Sequence, residues 1–249
     1  MESYMNRISN TGIVPVVKIL EKEDAYPLAK ALLNGGIDVI EVTYRSEHAT
    51  SAIQTISKEL PDMLVGAGTV LSVDQAKEAV EAGAKFIITP GFNTKVVQWC
   101  LDHDIEVYPG VSTASEIEMA LSMGLTQLKF FPAESSGGAK KLKDLSAPYA
   151  NVHFMPTGGI NTKNMHDYLA LPNVEAIGGS FMLPNDLVVA KDWDGIEALS
   201  RAAIKSLLDF QLIHVGINTN SPEESKQVTD TLCSLFHFTQ YTKPKSNFA

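Results

Sequence analysis

Short apolar runs alternate with amphipathic helical patterns along nearly the whole chain. Eight apolar runs with the length of buried strands lie at 12–19, 39–43, 64–70, 86–90, 106–111, 127–132, 152–157 and 174–181. Helical patterns lie at 24–34, 47–60, 73–82, 94–103, 114–122, 163–169 and 192–210, with a weak one at 140–145. Such alternation is typical of a parallel sheet covered by helices. We predict an α/β fold, a closed (β/α)8 TIM barrel; an open doubly wound sheet is the competing fold.

The order of side chains within the strands favours the barrel. Residues 39, 41, 43 and 45 share one face of the second run, and residues 40, 42 and 44 share the other. In a barrel the outer face packs on helices and is apolar, so Glu41 and Arg45 belong inside, with Arg45 at the carboxyl rim. The same parity places Gln127, Lys129 and Phe131 together on one face. Charged side chains inside a barrel are costly unless they form the working site.

Lys129 lies in the middle of an apolar run, where a lysine is strongly disfavoured. Either a carboxylate pairs with its ammonium group, or burial leaves the amine partly neutral. A neutral amine condenses with ketones and aldehydes to give a Schiff base. Two interpretations follow: Lys129 and Glu41 form an ion pair that fixes strand register, or Lys129 is a Schiff-base amine and Glu41 its general acid/base.

Three more residues are expected at the same rim. Arg45 offers a planar set of donors that suits a carboxylate. Thr69 follows Gly66-Ala-Gly68, where small residues let a ligand approach the backbone, or where a strand simply ends tightly. This segment lacks the third glycine of a dinucleotide-binding fingerprint, which counts against the open sheet. Pro90 ends another strand and is expected to be pocket wall or turn.

Two glycine clusters follow the last two strands of the predicted barrel. Thr157, Gly158 and Gly159 follow the seventh run, and Gly179 and Ser180 follow the eighth. Barrels commonly bind phosphate with the loops after these two strands, through exposed backbone N–H groups. Either cluster alone is usually a turn, but both together predict a phosphate site.

Composition excludes several classes of function. A net charge of −9 argues against nucleic acid and anionic membrane surfaces as partners. No apolar run approaches the ~20 residues needed to span a bilayer. Residues 1–10 lack the apolar core of a signal peptide. Cys100 and Cys233 do not have the spacing of a disulfide framework, so we expect reduced thiols and a location in the cytoplasm. The six histidines form no HxH or HExxH pair, and we predict no metal and no other cofactor.

The last 40 or so residues differ from the rest of the chain. A ninth strand-like run lies at 210–217, and a helical pattern follows at 223–238. This unit is too small to bury its own core and must pack on the barrel or on a neighbouring subunit. We therefore predict a barrel domain at 1–210 and a short C-terminal βα extension at 211–249.

Two segments carry a family resemblance: Gly35-Gly-Ile-Asp-Val-Ile-Glu41-Val-Thr-Tyr-Arg45 and Gly124-Leu-Thr-Gln-Leu-Lys129-Phe-Phe-Pro-Ala-Glu-Ser-Ser-Gly137. They resemble the two signatures of the 2-keto-3-deoxy-6-phosphogluconate (KDPG) / 4-hydroxy-2-oxoglutarate (KHG) aldolases, and the likeness runs from about residue 12 to residue 184. Tyr44 departs from the Leu or Phe that is more frequent in the family, on the face that packs on helices.

The resemblance implies a class I aldolase, usually a homotrimer of (β/α)8 barrels, with a small keto acid phosphate as substrate. By it, Lys129 forms the imine with pyruvate, Glu41 transfers protons, and Arg45 and Thr69 bind the pyruvyl carboxylate. The phosphate of the aldehyde half would go to Gly158, Gly159 and Ser180.

The C-terminal unit departs from the family. Residues 213–217 and the helix after them resemble the opening βα unit of a glyoxalase-like module, in which His214 would be a metal ligand. A single unit lacks the other ligands, so we assign no metal role and expect a packing or assembly element.

The leading hypothesis is cleavage of KDPG to pyruvate and glyceraldehyde 3-phosphate in the Entner–Doudoroff pathway, with KHG as a second substrate. Two alternatives stay open: an aldolase for the galactonate epimer, and a non-catalytic sugar-phosphate sensor.

Overall fold

The structure is a computed structural model that describes residues 4–208 and 221–236 of the chain. These residues fall into two compact units, residues 4–208 in the first and residues 221–236 in the second. The predicted strand at 210–217 and its His214 lie outside the described residues, as does the tail from residue 237 onwards. The second unit contains one described helix, α11 (Pro222–Phe236).

Strands and helices alternate through the first unit, as the sequence predicts. The strands are β1 (Ile13–Val17), β2 (Val39–Thr43), β3 (Leu64–Gly68), β4 (Phe86–Ile88), β5 (Glu106–Tyr108), β6 (Gly110–Val111), β7 (Gln127–Phe130), β8 (His153–Pro156) and β9 (Ile177–Gly179). The helices are α1 (Tyr4–Thr11), α2 (Ala25–Asn34), α3 (Ala49–Glu59), α4 (Val73–Glu81), α5 (Thr94–Asp102), α6 (Ala114–Ser122), α7 (Gly138–Ser146), α8 (Met165–Leu169), α9 (Asn185–Ala190) and α10 (Trp193–Leu208). None of the described helices is long and apolar enough to cross a membrane.

Hydrogen bonding groups the strands into two parallel sheets. One has the order β5-β4-β3-β2-β1-β9, and the other has the order β6-β7-β8. The sequence predicts a single strand at 106–111, but Pro109 separates β5 from β6 because it has no N–H for the ladder. At the other end, isolated parallel bridges join Phe154 to Val174 and Thr157 to Gly178. The α/β class and the parallel, curled arrangement of the strands are confirmed. The strands form two hydrogen-bonded sheets and not one continuous sheet.

The two faces of the sheets differ in what they contact. Ile40, Val42 and Leu128 lie in the large apolar cluster formed between sheets and helices. A second cluster lies on the opposite, inner face: Met5, Ile8, Val14, Val39, Leu64, Phe86, Ile88, Tyr108, Met155 and Ala176. Because side chains alternate along a strand, Glu41 and Lys129 share the inner face with this second cluster.

Helix α1 was not predicted from the sequence. Its Met5 and Ile8 belong to the inner cluster. Polar contacts join it to residues at the amino ends of β2, β5 and β9: Arg7 to Asp38, the Tyr4 N–H to Glu106, and Ser9 to Glu175. The helix therefore lies at the amino ends of the strands, opposite the edge to which the candidate site residues belong.

Candidate active site

A buried ion pair joins the two sheets across the inner face. The Lys129 Nζ on β7 lies 3.2 Å from Glu41 Oε1 and 3.3 Å from Oε2 on β2. Lys129 is 5% exposed and Glu41 is fully buried. An amine and a carboxyl group at hydrogen-bond distance, out of bulk water, are arranged to exchange a proton.

Two glycines of β3 make room for inner-face side chains. A Cβ at Gly68 would lie 2.0 Å from Glu41 Oε1, and one at Gly66 would lie 2.1 Å from the Phe86 ring. We expected these small residues to let a ligand approach the backbone. In the structure their space is filled instead by Glu41 and Phe86, so Gly68 helps determine where the carboxylate lies.

Phe131 contacts the amine from the end of β7. Its ring centroid lies 5.4 Å from Lys129 Nζ, within the range of a cation–π contact. The Cδ2 atom of the same ring lies 3.5 Å from the position of an ideal Cβ on Gly158. Phe131 therefore lies between the Lys129 amine and the first glycine cluster.

Arg45 follows β2 and is exposed. Its Nε–H donates to Thr43 Oγ1 at 3.1 Å, and the Thr43 hydroxyl donates to the Val17 carbonyl at 2.7 Å. Arg45 makes no direct hydrogen bond or ion pair with Glu41 or Lys129 in the described part of the chain. Its link to the ion pair is the strand itself, since Thr43 and Glu41 are two residues apart on one face.

Thr69 adopts an unusual backbone conformation directly after β3. Its φ is 54°, in the left-handed region that a β-branched side chain rarely occupies. Strain of this kind costs about 1–3 kcal/mol and is concentrated at functional sites. Thr69 is also next to Gly68, against which the Glu41 side chain packs.

Pro90 follows β4 at the same edge and is half-buried. It lines an open groove of about 660 Å³ together with Val70, Leu71 and Phe92. Glu41 and Lys129 do not line this groove.

The first glycine cluster leaves one backbone donor free. Gly158 and Gly159 have φ values of 105° and 81°, which favour glycine. Their carbonyl oxygens accept hydrogen bonds from the Glu134 N–H at 3.1 Å and from Asn164 Nδ2 at 3.1 Å. The Gly158 N–H faces β9 in the bridge between Thr157 and Gly178. Within residues 4–208 and 221–236 the Gly159 N–H donates to no protein acceptor, so an anion could accept from it.

Thr157 connects the two glycine clusters. A Cβ at Gly178 would lie 2.2 Å from Thr157 Oγ1, so the threonine packs directly on the backbone of β9. Gly179 ends β9, and Ser180 follows it as an exposed residue. The two predicted clusters are thus neighbours at one edge of the fold.

Glu134 is a neighbour of this loop that sequence reasoning missed. The Tyr168 hydroxyl donates to Glu134 Oε1, and burial together with this carboxylate raises the pKa of Tyr168. A Cβ on Gly159 would lie 2.6 Å from Glu134 Cγ, so the glutamate packs directly against the loop.

Known proteins are similar to this chain over most of its length. The family described as KDPG and KHG aldolase matches residues 4–199. A 2-dehydro-3-deoxy-phosphogluconate aldolase of Treponema pallidum is 45% identical over 205 residues, which are 82% of this chain and 98% of that protein. A KHG/KDPG aldolase of Escherichia coli is 46% identical over 199 residues, 80% of this chain and 93% of that protein. The chain belongs to the KDPG and KHG aldolase family.

Solved structures of the family superpose on the same region. A KDPG aldolase from Legionella pneumophila, with pyruvate captured as a covalent carbinolamine intermediate, has a TM-score of 0.78 and 40% identity. That comparison covers 82% of this chain and 99% of the Legionella chain. The family match ends at residue 199, before the second compact unit.

For this member of the KDPG and KHG aldolase family, the sequence contained signals for two further residues near the site. Thr43 and Phe131 share strand parity with Glu41 and Lys129, although no role was predicted for either. Glu134 lies in the second family-like segment, but its contact with Tyr168 could not be predicted because it joins two residues 34 positions apart. Among the described residues no group of three or more His, Cys, Asp or Glu side chains is arranged to bind a metal.

Proposed function

We propose that this chain is a class I aldolase that cleaves KDPG into pyruvate and glyceraldehyde 3-phosphate, and KHG into pyruvate and glyoxylate. The observation that carries the proposal is the Lys129 amine, 5% exposed and within 3.3 Å of both oxygens of a buried carboxylate. The relatives that bear these activities in their names are 45–46% identical to the chain.

The reaction begins at the amine. Lys129 transfers a proton to Glu41, and the neutral amine attacks the C2 ketone of the substrate. Glu41 returns that proton to the C2 hydroxyl, which leaves as water, and the resulting iminium ion accepts the electron pair of the C3–C4 bond as that bond breaks. Glu41 takes the C4 hydroxyl proton directly or through water, and the aldehyde leaves. Protonation of the enamine at C3 and hydrolysis of the imine release pyruvate and regenerate Lys129.

The remaining residues would bind the substrate's two anionic ends. Arg45 and Thr69 take the carboxylate beside the reacting ketone, with Pro90 as a wall. The phosphate of KDPG accepts hydrogen bonds from the loop of Gly158 and Gly159, in which the Gly159 N–H is free of protein acceptors. Thr157, Gly179 and Ser180 complete that end of the pocket from the two neighbouring loops.

We also propose that the two sheets are parts of one closed (β/α)8 barrel. Counted across Pro109, β5 and β6 form one strand, which gives eight strands in all. The bridge from Thr157 to Gly178 supports closure beside β9, and the Lys129–Glu41 pair spans the interior. In this proposal residues 1–210 are the aldolase barrel, and residues 211–249 are an appended extension that the family match does not include.

The assembly and location are proposed on sequence grounds. The family resemblance supports a homotrimer. Two cysteines without framework spacing support the cytoplasm, and Cys100 is a buried free thiol.

Borohydride reduction in the presence of pyruvate tests the proposal. We expect a covalent mass increment that peptide mapping assigns to Lys129. An unmodified protein at saturating pyruvate would overturn the assignment.

A coupled pyruvate-release assay then distinguishes the possible substrates. KDPG, its galactonate epimer and KHG are assayed separately, and we expect the highest kcat/KM for KDPG. Faster release from the epimer would identify the alternative aldolase. Binding of KDPG without pyruvate release would identify a sensor.

A further inference from the structure

We propose that Thr43 is a positioning residue that fixes the Arg45 guanidinium for the substrate carboxylate. This inference rests on the proposed aldolase function. It concerns a side chain that touches neither the reacting ketone nor, in our proposal, the carboxylate itself.

The hydrogen-bond roles at Thr43 are determined by its chemistry. Thr43 is a fully buried polar residue on the inner face. A hydroxyl has one proton, and here that proton goes to the Val17 carbonyl at 2.7 Å. The hydroxyl oxygen is then an acceptor toward its other neighbour. That neighbour is Arg45 Nε at 3.1 Å, and a guanidinium has only donors.

This contact selects which edge of Arg45 meets the ligand. With Nε donated to Thr43, the two terminal nitrogens remain, and in the described part of the chain they have no protein acceptor. These two nitrogens lie in one plane and match the two oxygens of a carboxylate. Arg45 is exposed and its long side chain is flexible, so one hydrogen bond to a buried hydroxyl restricts it strongly.

The contact also sets a distance within the site. Thr43 and Glu41 belong to the same strand and the same face, and Glu41 pairs with Lys129. A carboxylate bound by Arg45 is therefore placed relative to the amine through one rigid strand. In a 2-oxo acid the carboxylate is bonded to the ketone carbon that Lys129 attacks. Thr43 thereby favours 2-oxo acids over ketones that lack a carboxylate.

The test compares Thr43→Val, which keeps the shape and removes the hydroxyl, with Thr43→Ser, which keeps the hydroxyl. The readout is the pyruvate concentration that gives half-maximal borohydride trapping at Lys129, which does not depend on turnover. We expect Thr43→Val to raise it about tenfold or more, the loss typical of a hydrogen bond to a charged group. Thr43→Ser should stay within about threefold of wild type.

A double-variant cycle separates positioning from general damage. If Thr43 acts through Arg45, the pair Thr43→Val with Arg45→Ala should be no worse than Arg45→Ala alone. Hydroxyacetone, a ketone without a carboxylate, should be trapped equally well by wild type and Thr43→Val. Thr43→Ala carries the same expectations if Thr43→Val gives no folded protein.

Three outcomes would overturn the inference while leaving the aldolase proposal intact. They are an unchanged pyruvate requirement in Thr43→Val, losses in the double variant that add, and an equal loss of hydroxyacetone trapping. If wild-type protein traps no pyruvate, the proposed function fails and this inference fails with it.

Discussion

Replacing Gly68 with alanine adds one methyl group beside the Glu41 carboxylate. The new Cβ would lie 2.0 Å from Glu41 Oε1, 2.4 Å from Cγ and 2.5 Å from Cδ. Non-bonded heavy atoms of this kind normally approach to about 3.5 Å, so the carboxylate must shift by about 1–1.5 Å. Glu41 is fully buried in the middle of β2, so the shift changes the position of its oxygens relative to Lys129 Nζ.

The expected cost follows from that displacement. A misplacement of about 1 Å in a catalytic group lowers the rate by roughly 10²-fold, so kcat/KM should fall by about that factor. Overpacking a filled interior costs about 1–3 kcal/mol, and the free energy of unfolding should fall by a similar amount.

The assay is coupled pyruvate release from KDPG, with urea unfolding to show that each variant is folded at the assay temperature. Gly91→Ala is the matched control: a Cβ there has no atom within 4 Å, and we expect wild-type kcat/KM. A folded Gly68→Ala variant whose kcat/KM lies within about threefold of wild type would refute the reasoning that Gly68 fixes the carboxylate.

Three further expectations concern the ion pair, a thiol and a helix cap. Lys129→Met should abolish pyruvate trapping. It should also lower the free energy of unfolding in urea at pH 7 by about 3–5 kcal/mol, because Glu41 is left as an unpaired buried carboxylate. Adding Glu41→Leu should recover most of that stability, and no recovery would contradict the explanation. Burial raises the pKa of the Cys100 thiol from 9.0 to about 12. As pH rises, the thiol in the unfolded chain loses its proton before the thiol in the folded chain does, so the free energy of unfolding should fall between pH 9 and 12. Cys100→Ala should reduce the loss of stability that urea titrations measure between pH 8 and pH 10. Native iodoacetamide labelling at pH 8 should spare the Cys100 peptide, and its rapid labelling would count against burial. Thr113→Ala removes the capping box of α6 and should cost about 1 kcal/mol in urea unfolding, while an unchanged midpoint would show that the cap is dispensable.

The sequence predicted the alternation of elements because local patterns carry that information. It missed α1 because a helix of 8 residues, with Met5 and Ile8 as its buried apolar residues, has too weak a period to stand out. The packing partners of α1 are inner-face side chains from several strands, which adjoin it only in the folded chain. Pro109 was visible in the sequence as a residue that cannot donate a backbone hydrogen bond. Whether it divides the strand into β5 and β6 depends on the neighbouring strand that would have accepted that bond, which the sequence does not show.

For the candidate site, strand parity was the informative signal. It brought Glu41 and Lys129 to one face although 88 residues separate them, and the structure gives them a direct contact. The alternation of side chains applies only within a strand, and β2 ends at Thr43. The direction of the Arg45 side chain, and hence its hydrogen bond to Thr43, could not be predicted from it. The left-handed backbone of Thr69 was equally out of reach, since local preference opposes it and only the surrounding structure enforces it.

The distribution of charge over the inner face supports a proposed role for the ion pair beyond a structural contact. Apolar side chains and helix α1 fill the inner face toward the amino ends of the strands, while Arg45 and Thr69 lie at the carboxyl edge. A buried ion pair is a poor route to stability, because desolvation offsets much of its attraction and apolar residues of similar volume often serve as well. The inner cluster shows that this interior accommodates apolar packing. Stability alone would favour extending that cluster to residues 41 and 129. The proposed mechanism gives the pair a second role, because a nucleophilic amine needs an acid/base beside it.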